Sequence, residues 1–290
     1  MAGSHPTKTP RQLGYRMPAE WEPHEATWLA WPHNPEDWPG KFQSIPWLYV
    51  EIVRLLAERE RVHLIVENAA MRARVTGMLE RAQVNLGRVS FHLWLTDRGW
   101  MRDSGPIFVR DSSGTVAITH WRFNGWAKYD DWNRDEKIPG RVTQLLKAPA
   151  WRPELRLPGG RAHRIVLEGG SIDVNGTGAM MTTEECQLSE VQQRNPGVGR
   201  GQLERAFSDY LGIDQVIWLG RGINGDDTHG HVDDIARFAA PDTIVAAVER
   251  DTSDPNHAPL TANLRTLKAA RTAAGKQFFE VQLPVREAKK

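Results

Sequence analysis

The chain has 290 residues, with 37 Lys plus Arg against 36 Asp plus Glu, so the net charge is +1. That balance excludes a nucleic-acid binder that works through bulk charge. A hydrophobic content of 40% with 25% charged residues excludes a disordered chain, and the apolar stretches are too short for a membrane span of roughly 18 residues.

Taken in chain order, residues 1–16 are polar, lack the apolar run of a secretory signal, and are expected to form a mobile N-terminal segment. From residue 17 to 290 no Gly/Ser linker, charge block or low-complexity stretch interrupts the chain, so one domain is expected. Short runs rich in Val, Ile, Leu and aromatics predict strands over 26–31, 62–66, 89–95, 106–109, 116–119, 165–167, 216–219, 243–248 and 278–281. Between them, 47–58 predicts a helix that turns Leu48, Ile52, Leu55 and Leu56 to one face, with Pro46 suited to its first turn. Leu203, Phe207, Tyr210 and Leu211 mark a second helix, and Leu260, Leu264 and Leu267 a third. A pair of strands followed by a helix and another strand recurs along the chain. The fold class is therefore α/β, or α+β with a cyclic arrangement.

Three motifs carry candidate chemistry. Asp226-Asp227-Thr228-His229-Gly230-His231-Val232-Asp233-Asp234 packs four carboxylates and two imidazoles into nine residues, a set costly to bury for stability alone. If His231-Val232-Asp233 is extended, His231 and Asp233 share a face and form an imidazole–carboxylate pair. The alternative is a solvated loop. Gly99-Trp100-Met101-Arg102-Asp103-Ser104-Gly105-Pro106 reads as a strand end with a turn, setting Asp103 beside the Trp100 indole. That pair suits a delocalised cation; the alternative is an ordinary turn in which Asp103 pairs with Arg102 or caps backbone amides. Glu168-Gly169-Gly170 follows an apolar run that delivers Glu168 to a glycine pair where backbone can approach a ligand, and Asn175-Gly176-Thr177-Gly178 reads as a hairpin turn; the alternative is a plain hairpin with a surface Glu. No Lys-Ser/Thr follows the glycine pair, so it is no P-loop. Trp21, Trp28 and Trp31 suggest core packing, with a rim role open to one of them. Separated carboxylates, a histidine and several Trp are the equipment for gripping a planar guanidinium and moving protons beside it.

These segments together, from MPAEWEPHEATWLAWP through WMRDSGPIFV and LEGGSIDVNGTGAMMTTEECQLSEVQQRNPG to NGDDTHGHVDDIARF, resemble the agmatine deiminase family. That family includes the bacterial-type peptidylarginine deiminases and belongs to the pentein superfamily. The resemblance runs from about Tyr15 to the end. It implies a five-fold α/β-propeller of ββαβ modules and metal-free, cofactor-free hydrolysis of agmatine to N-carbamoylputrescine and ammonia, a step of polyamine metabolism. It places the guanidinium-binding carboxylate at Asp103, a second acidic site residue at Glu168, the acid/base at His231, a further guanidinium carboxylate at Asp233, and a pocket wall at Trp100. Asp227 joins the substrate-binding candidates.

The family nucleophile is a Cys near the C-terminus, in a Gly-rich segment reading like GGxIHCxTQQ, and the sequence to Lys290 contains none. The last module is therefore expected to be incomplete, with the nucleophile outside these residues. The one cysteine, Cys186, excludes a disulfide framework and points to a reducing, cytoplasmic setting. It is expected to be buried and structural, with Glu184 and Glu185 disfavouring its thiolate. The expected partner is a small cationic guanidine such as agmatine, with neither nucleic acid nor membrane. A second copy of the chain could close an open sheet edge, as a homo-oligomer. The alternatives are a non-catalytic guanidine-binding protein, a peptidyl-arginine deiminase, and a metal hydrolase at His229, His231 and Asp233.

Overall fold

A computed structural model describes residues 8–157 and 159–285. Contacts divide the chain into two compact units. The larger holds the described parts of Met1–Glu22, Pro106–Lys128 and Pro139–Lys290, and the smaller holds Pro23–Gly105 and Tyr129–Ile138. Of the segment expected to be mobile, residues 1–7 lie outside the described residues. Residues 8–16 are tied down: Arg11 pairs with Asp214, the Arg16 N–H donates to the Arg110 carbonyl, and Trp151 Nε1 donates to the Lys8 carbonyl.

The smaller unit runs β1 (Ala26–Ala30), α1 (Ile45–Ala57), β2 (Arg61–Val66), α2 (Ala69–Arg81), β3 (Val89–Leu93) and a four-residue helix α3 (Met101–Ser104). Its sheet is ordered β1-β2-β3 and parallel throughout, pairing Trp28 with His63 and Leu64 with Phe91. Asn68 caps α2 by accepting the Met71 N–H at 2.9 Å. Pro46 lies in the first turn of α1, as the sequence predicts, but the buried face is not the predicted one. Val50, Val53 and Ala57 are buried, whereas Leu48 and Leu55 are half-exposed. Both faces of this helix are apolar, and the Leu48–Leu55 face is flanked by Glu51 and Glu58, which pair with Arg54. Burying it would draw those charges toward the core.

The larger unit repeats one motif. β4 (Ile107–Arg110) and β5 (Val116–Thr119) are antiparallel, α4 (Ile138–Leu146) follows, and β6 (Ala150–Trp151) pairs parallel to β5. After the two-stranded pair β7 (Glu154–Arg156) and β8 (Ala162–Arg164), the motif recurs. β9 (Asp173–Val174) and β10 (Ala179–Thr183) are antiparallel, α5 (Glu184–Leu188) and α6 (Arg200–Leu211) follow, and β11 (Gln215–Leu219) pairs parallel to β10. It recurs again with β12 (Ala236–Ala240), β13 (Thr243–Val248), α7 (His257–Ala269) and β14 (Phe279–Pro284). The ββαβ recurrence expected from sequence thus holds in this unit, while the smaller unit is β-α-β-α-β.

β10 is buried on both sides. Met180 packs into a core with Ile172, Leu203 and Phe207, and its neighbour Met181 into a second core with Leu219, Ile244 and Leu260. The predicted strand at 165–167 belongs to none of the sheets. Both backbone groups of Val166 are taken by the Asn195 side-chain amide, at 2.9 Å each, which imitates a neighbouring strand. Among the described residues, no helix is long and apolar enough to cross a membrane.

Candidate active site

In the larger unit the apolar run ending at Leu167 delivers Glu168 to a tight turn at Gly169–Ser171. The Ser171 hydroxyl donates to the Glu168 carbonyl at 2.7 Å, fixing that turn. The Glu168 side chain is wholly buried and its Oε1 lies 3.1 Å from Arg194 Nε. Burial alone would raise its pKa. The Arg194 guanidinium, aided by His231, outweighs that and holds the carboxyl at about 2, so Glu168 is an anion at neutral pH.

His231 faces this anion from the other side. Its Nε2 is 3.6 Å from Glu168 Oε2, and its Nδ1 is 3.9 Å from Asp233 Oδ1. The expected extended His231-Val232-Asp233 is corrected here: Val232–Asp234 form a tight turn, and His231 precedes it. The turn, rather than strand alternation, brings Asp233 back to its imidazole.

Asp226 builds the loop that leads into His231. One of its oxygens accepts the Thr228 N–H and hydroxyl, and the other accepts the N–H groups of Gly230 and His231. Gly230 has φ +90°, and a Cβ there would lie 2.9 Å from Glu185 Cβ, so only glycine fits. His229 beside it is held at φ +61°, a strained conformation for a side-chain-bearing residue. Its ring turns away from His231, with Nε2 3.3 Å from Ser189 Oγ and Nδ1 4.0 Å from Glu185 Oε1. There it lines an open cleft of about 480 Å³ with Leu188, Ser189 and Val191.

Cys186 is buried as expected, but Glu184 and Glu185 are not the carboxylates that meet its thiol. Glu184 pairs with Arg200, and Glu185 accepts the Gly222 N–H at 2.7 Å. The Cys186 thiol instead points at Glu168 Oε2 as a donor, at 4.0 Å. The exposed Asp227 carboxylate pairs with Lys128.

Among the described residues, the His, Cys and acidic side chains whose donor atoms converge within 4.8 Å are Glu168, Cys186 and His231. The trio His229, His231 and Asp233 does not converge. The Arg194 guanidinium already neutralises Glu168, so a metal cation in this cluster would displace an existing partner.

In the smaller unit Asp103 lies in α3, not at a strand tip as the turn motif suggested, and is buried. The tight exit from α3 requires Gly105, whose Cβ would fall 2.4 Å from the Met101 carbonyl oxygen. Trp100 is partly exposed and packs on Trp38, with ring centroids 5.1 Å apart.

Sequence reasoning missed Arg194 and the loop-building role of Asp226. Arg194 stands 26 residues from Glu168, and its one signal is the physical demand that a buried anion have a cation.

The family described as Porphyromonas-type peptidyl-arginine deiminase matches residues 16–290. The chain belongs to this family. The agmatine deiminase of Pseudomonas aeruginosa strain UCBPP-PA14 is 34% identical over 287 residues, covering 97% of this chain and 73% of that protein. The agmatine deiminase of Stutzerimonas stutzeri is 34% identical over 284 residues, 96% of this chain and 73% of its own length. The solved structure of the Enterococcus faecalis agmatine deiminase superposes with a TM-score of 0.83 at 28% identity, over 96% of this chain and 72% of that one. The α/β fold of this family member is thus the pentein-type fold of solved agmatine deiminases.

Proposed function

We propose that this chain is an agmatine deiminase-like hydrolase. Water adds to the guanidinium carbon of agmatine, one C–N bond breaks, and the products are N-carbamoylputrescine and ammonia. The observation that carries this reading is His231, with a carboxylate facing each of its ring nitrogens. An imidazole so flanked is equipped to take a proton at one nitrogen and release it to the leaving amine. Glu168, ionised at neutral pH with its Oε1 held by Arg194, turns Oε2 toward His231 and supports the imidazole in its protonated form. Asp233, less buried than Glu168, is positioned to pair with the substrate's N–H edge. Asp103 and Trp100 are the further substrate-binding residues, through charge and cation–π contact.

Arg194 sets a limit on the site. Because it already engages Glu168 Oε1, the carboxylate presents mainly Oε2 to anything else. Cys186 faces that oxygen as a thiol donor, which is the posture of a packed side chain and not of a nucleophile. That observation favours a second reading, in which these 290 residues bind the guanidine without turning it over.

Ammonia release from agmatine, measured beside calorimetric binding, separates the two. Turnover lost in Asp233→Ala supports the hydrolase. Binding without ammonia supports the guanidine-binding reading, and no binding at millimolar agmatine overturns both.

A further inference from the structure

The smaller unit holds a second buried polar cluster, outside the residues discussed above. Asp135 is 1% exposed, and its two carboxylate oxygens each accept one peptide N–H, from Asp97 at 2.8 Å and from Arg98 at 3.0 Å. The Arg98 guanidinium, also buried, reaches Asp37 Oδ1 at 2.8 Å and Asp131 Oδ1 at 3.0 Å, and lies over the Tyr129 ring at 4.1 Å. The other Asp37 oxygen accepts the Gly99 N–H at 3.3 Å. Asp97 in turn accepts the Arg134 N–H at 2.7 Å. Three successive peptide N–H groups, at 97, 98 and 99, are thus held by side chains from two other segments. The next residue is Trp100, and α3 with Asp103 follows immediately.

We infer that Asp135 is a positioning residue for the Trp100–Asp103 segment, its carboxylate clamping the two peptide groups that lead into it, with Arg98 locking the clamp to Asp37 and Asp131. The inference rests on the proposed function, since it assigns the clamp the task of aiming Trp100 and Asp103 at the guanidine. The physical case is that α3 is a single turn with no side-chain cap at its start. So short a helix cannot hold its own direction, and its entry must be fixed from outside. A residue that aims a binding group matters because a displacement of about 1 Å can cost on the order of a hundredfold in a well-aligned site.

The clamp is also sensitive to pH. Burial pushes the Asp135 pKa up; the two N–H bonds oppose this, the neighbouring Asp97 and Asp37 add to it, and the result is about 7. The remaining charged groups here are already engaged: Arg98 with Asp37, Asp131 and the more distant Glu36, and Arg134 with Asp97. Above pH 7 the ionised carboxylate is repelled by Asp97 and Asp37.

The test uses the full chain and two variants, Asp135→Ala and the milder Asp135→Asn, which keeps the shape and one acceptor. Amide hydrogen exchange is read across residues 96–105, and agmatine affinity by calorimetry at pH 6 and pH 8. The expected result for Asp135→Ala is exchange at Asp97 and Arg98 faster by at least about tenfold, confined to that segment, with agmatine affinity weaker by about tenfold. Asp135→Asn falls between, and loses the fall in affinity that the unaltered chain shows from pH 6 to pH 8. Unchanged exchange at 97 and 98, or acceleration spread evenly over the chain, overturns the clamp. Local acceleration with unchanged agmatine affinity overturns its positioning role. If the unaltered chain itself binds no agmatine, the functional reading falls and this inference with it. If the unaltered chain binds and Asp135→Ala binds equally well, the inference falls alone.

Discussion

Glu168 in the larger unit and Asp135 in the smaller are both carboxyls shut away from water, yet their titrations are pushed in opposite directions. Glu168 has a guanidinium against it and is held at about 2. Asp135 has peptide N–H groups and like-charged neighbours, and is pushed to about 7. Burial acts the same way on both; the difference lies in what else was buried with them. An ion pair commits Glu168 to its charge, whereas peptide dipoles set against like-charged neighbours leave Asp135 able to change state near neutrality.

The largest test of that contrast removes the cation. Arg194→Ala leaves the Glu168 anion uncompensated in the core, and an expected loss of about 3–5 kcal/mol would appear in denaturant unfolding. Arg194→Lys should recover part of it. A loss below about 1 kcal/mol would mean that Glu168 is neutralised in some other way.

The pH profile of stability sharpens the comparison because the signs differ. Glu168 has a depressed pKa, so its contribution is present above about 4.5 and is lost as pH falls toward about 2. Asp135 has a raised pKa, so its contribution is complete below about 3.8 and is lost as pH rises through about 7. Between pH 5 and pH 8 the unaltered chain should therefore lose on the order of 3 kcal/mol that Asp135→Asn does not lose. Equal slopes in the two proteins would refute the account of Asp135.

Helix α1 shows how far the sequence could be read. Its place and its Pro46 start were legible, but its buried face was not, because apolar residues line both sides. The face was chosen by where Glu51, Arg54 and Glu58 had to remain in water, a decision that counting apolar periodicity does not make. Val53→Ala should cost about 2 kcal/mol in unfolding experiments and Leu48→Ala under about 0.5. The reverse order would restore the predicted face.

The candidate site was legible in a similar, partial way. Glu168, His231 and Asp233 stood out because carboxylates and imidazoles crowd around glycines. Arg194 did not, since the pairing spans distant segments and leaves no local pattern. The run at 165–167 was legible as extended chain, since Val166 forms a parallel bridge with Arg122; it joins no sheet because on its other edge the side chain of Asn195 takes the hydrogen bonds that a neighbouring strand would otherwise make. β10 passed unnoticed because a strand buried on both faces shows no alternation.

A smaller effect is expected on the smaller unit's sheet, where Trp28 stacks on His63 and His92, and the two imidazoles approach to 2.9 Å. Burial, then the nearby His63, lowers the His92 pKa to about 4. The unfolded chain takes up that proton near 6.5 and the folded chain does not, so stability falls as pH drops from 6.5 toward 4. Because His92 is half-exposed, the effect is discounted to about 1 kcal/mol or less. His92→Phe should flatten that limb of the profile, and an unchanged slope would assign the acid loss to other groups.

The smallest expected effect belongs to Cys186. Its thiol is buried, donates toward Glu168, and sits behind a turn whose cap, Thr183, also holds the Gly230 carbonyl. Serine keeps a donor of nearly the same reach, so Cys186→Ser should leave ammonia release or agmatine binding within about twofold, with a stability cost of about 1 kcal/mol. The measurement is decisive because this is the one thiol in the sequence. Loss of turnover with retained binding would make Cys186 the nucleophile. The donor posture toward Glu168 would then describe a resting state in which the carboxylate shields the thiol until the guanidinium arrives. Retained turnover would fix Cys186 as packing and leave the acid–imidazole pair as the only chemistry that Glu168 supports.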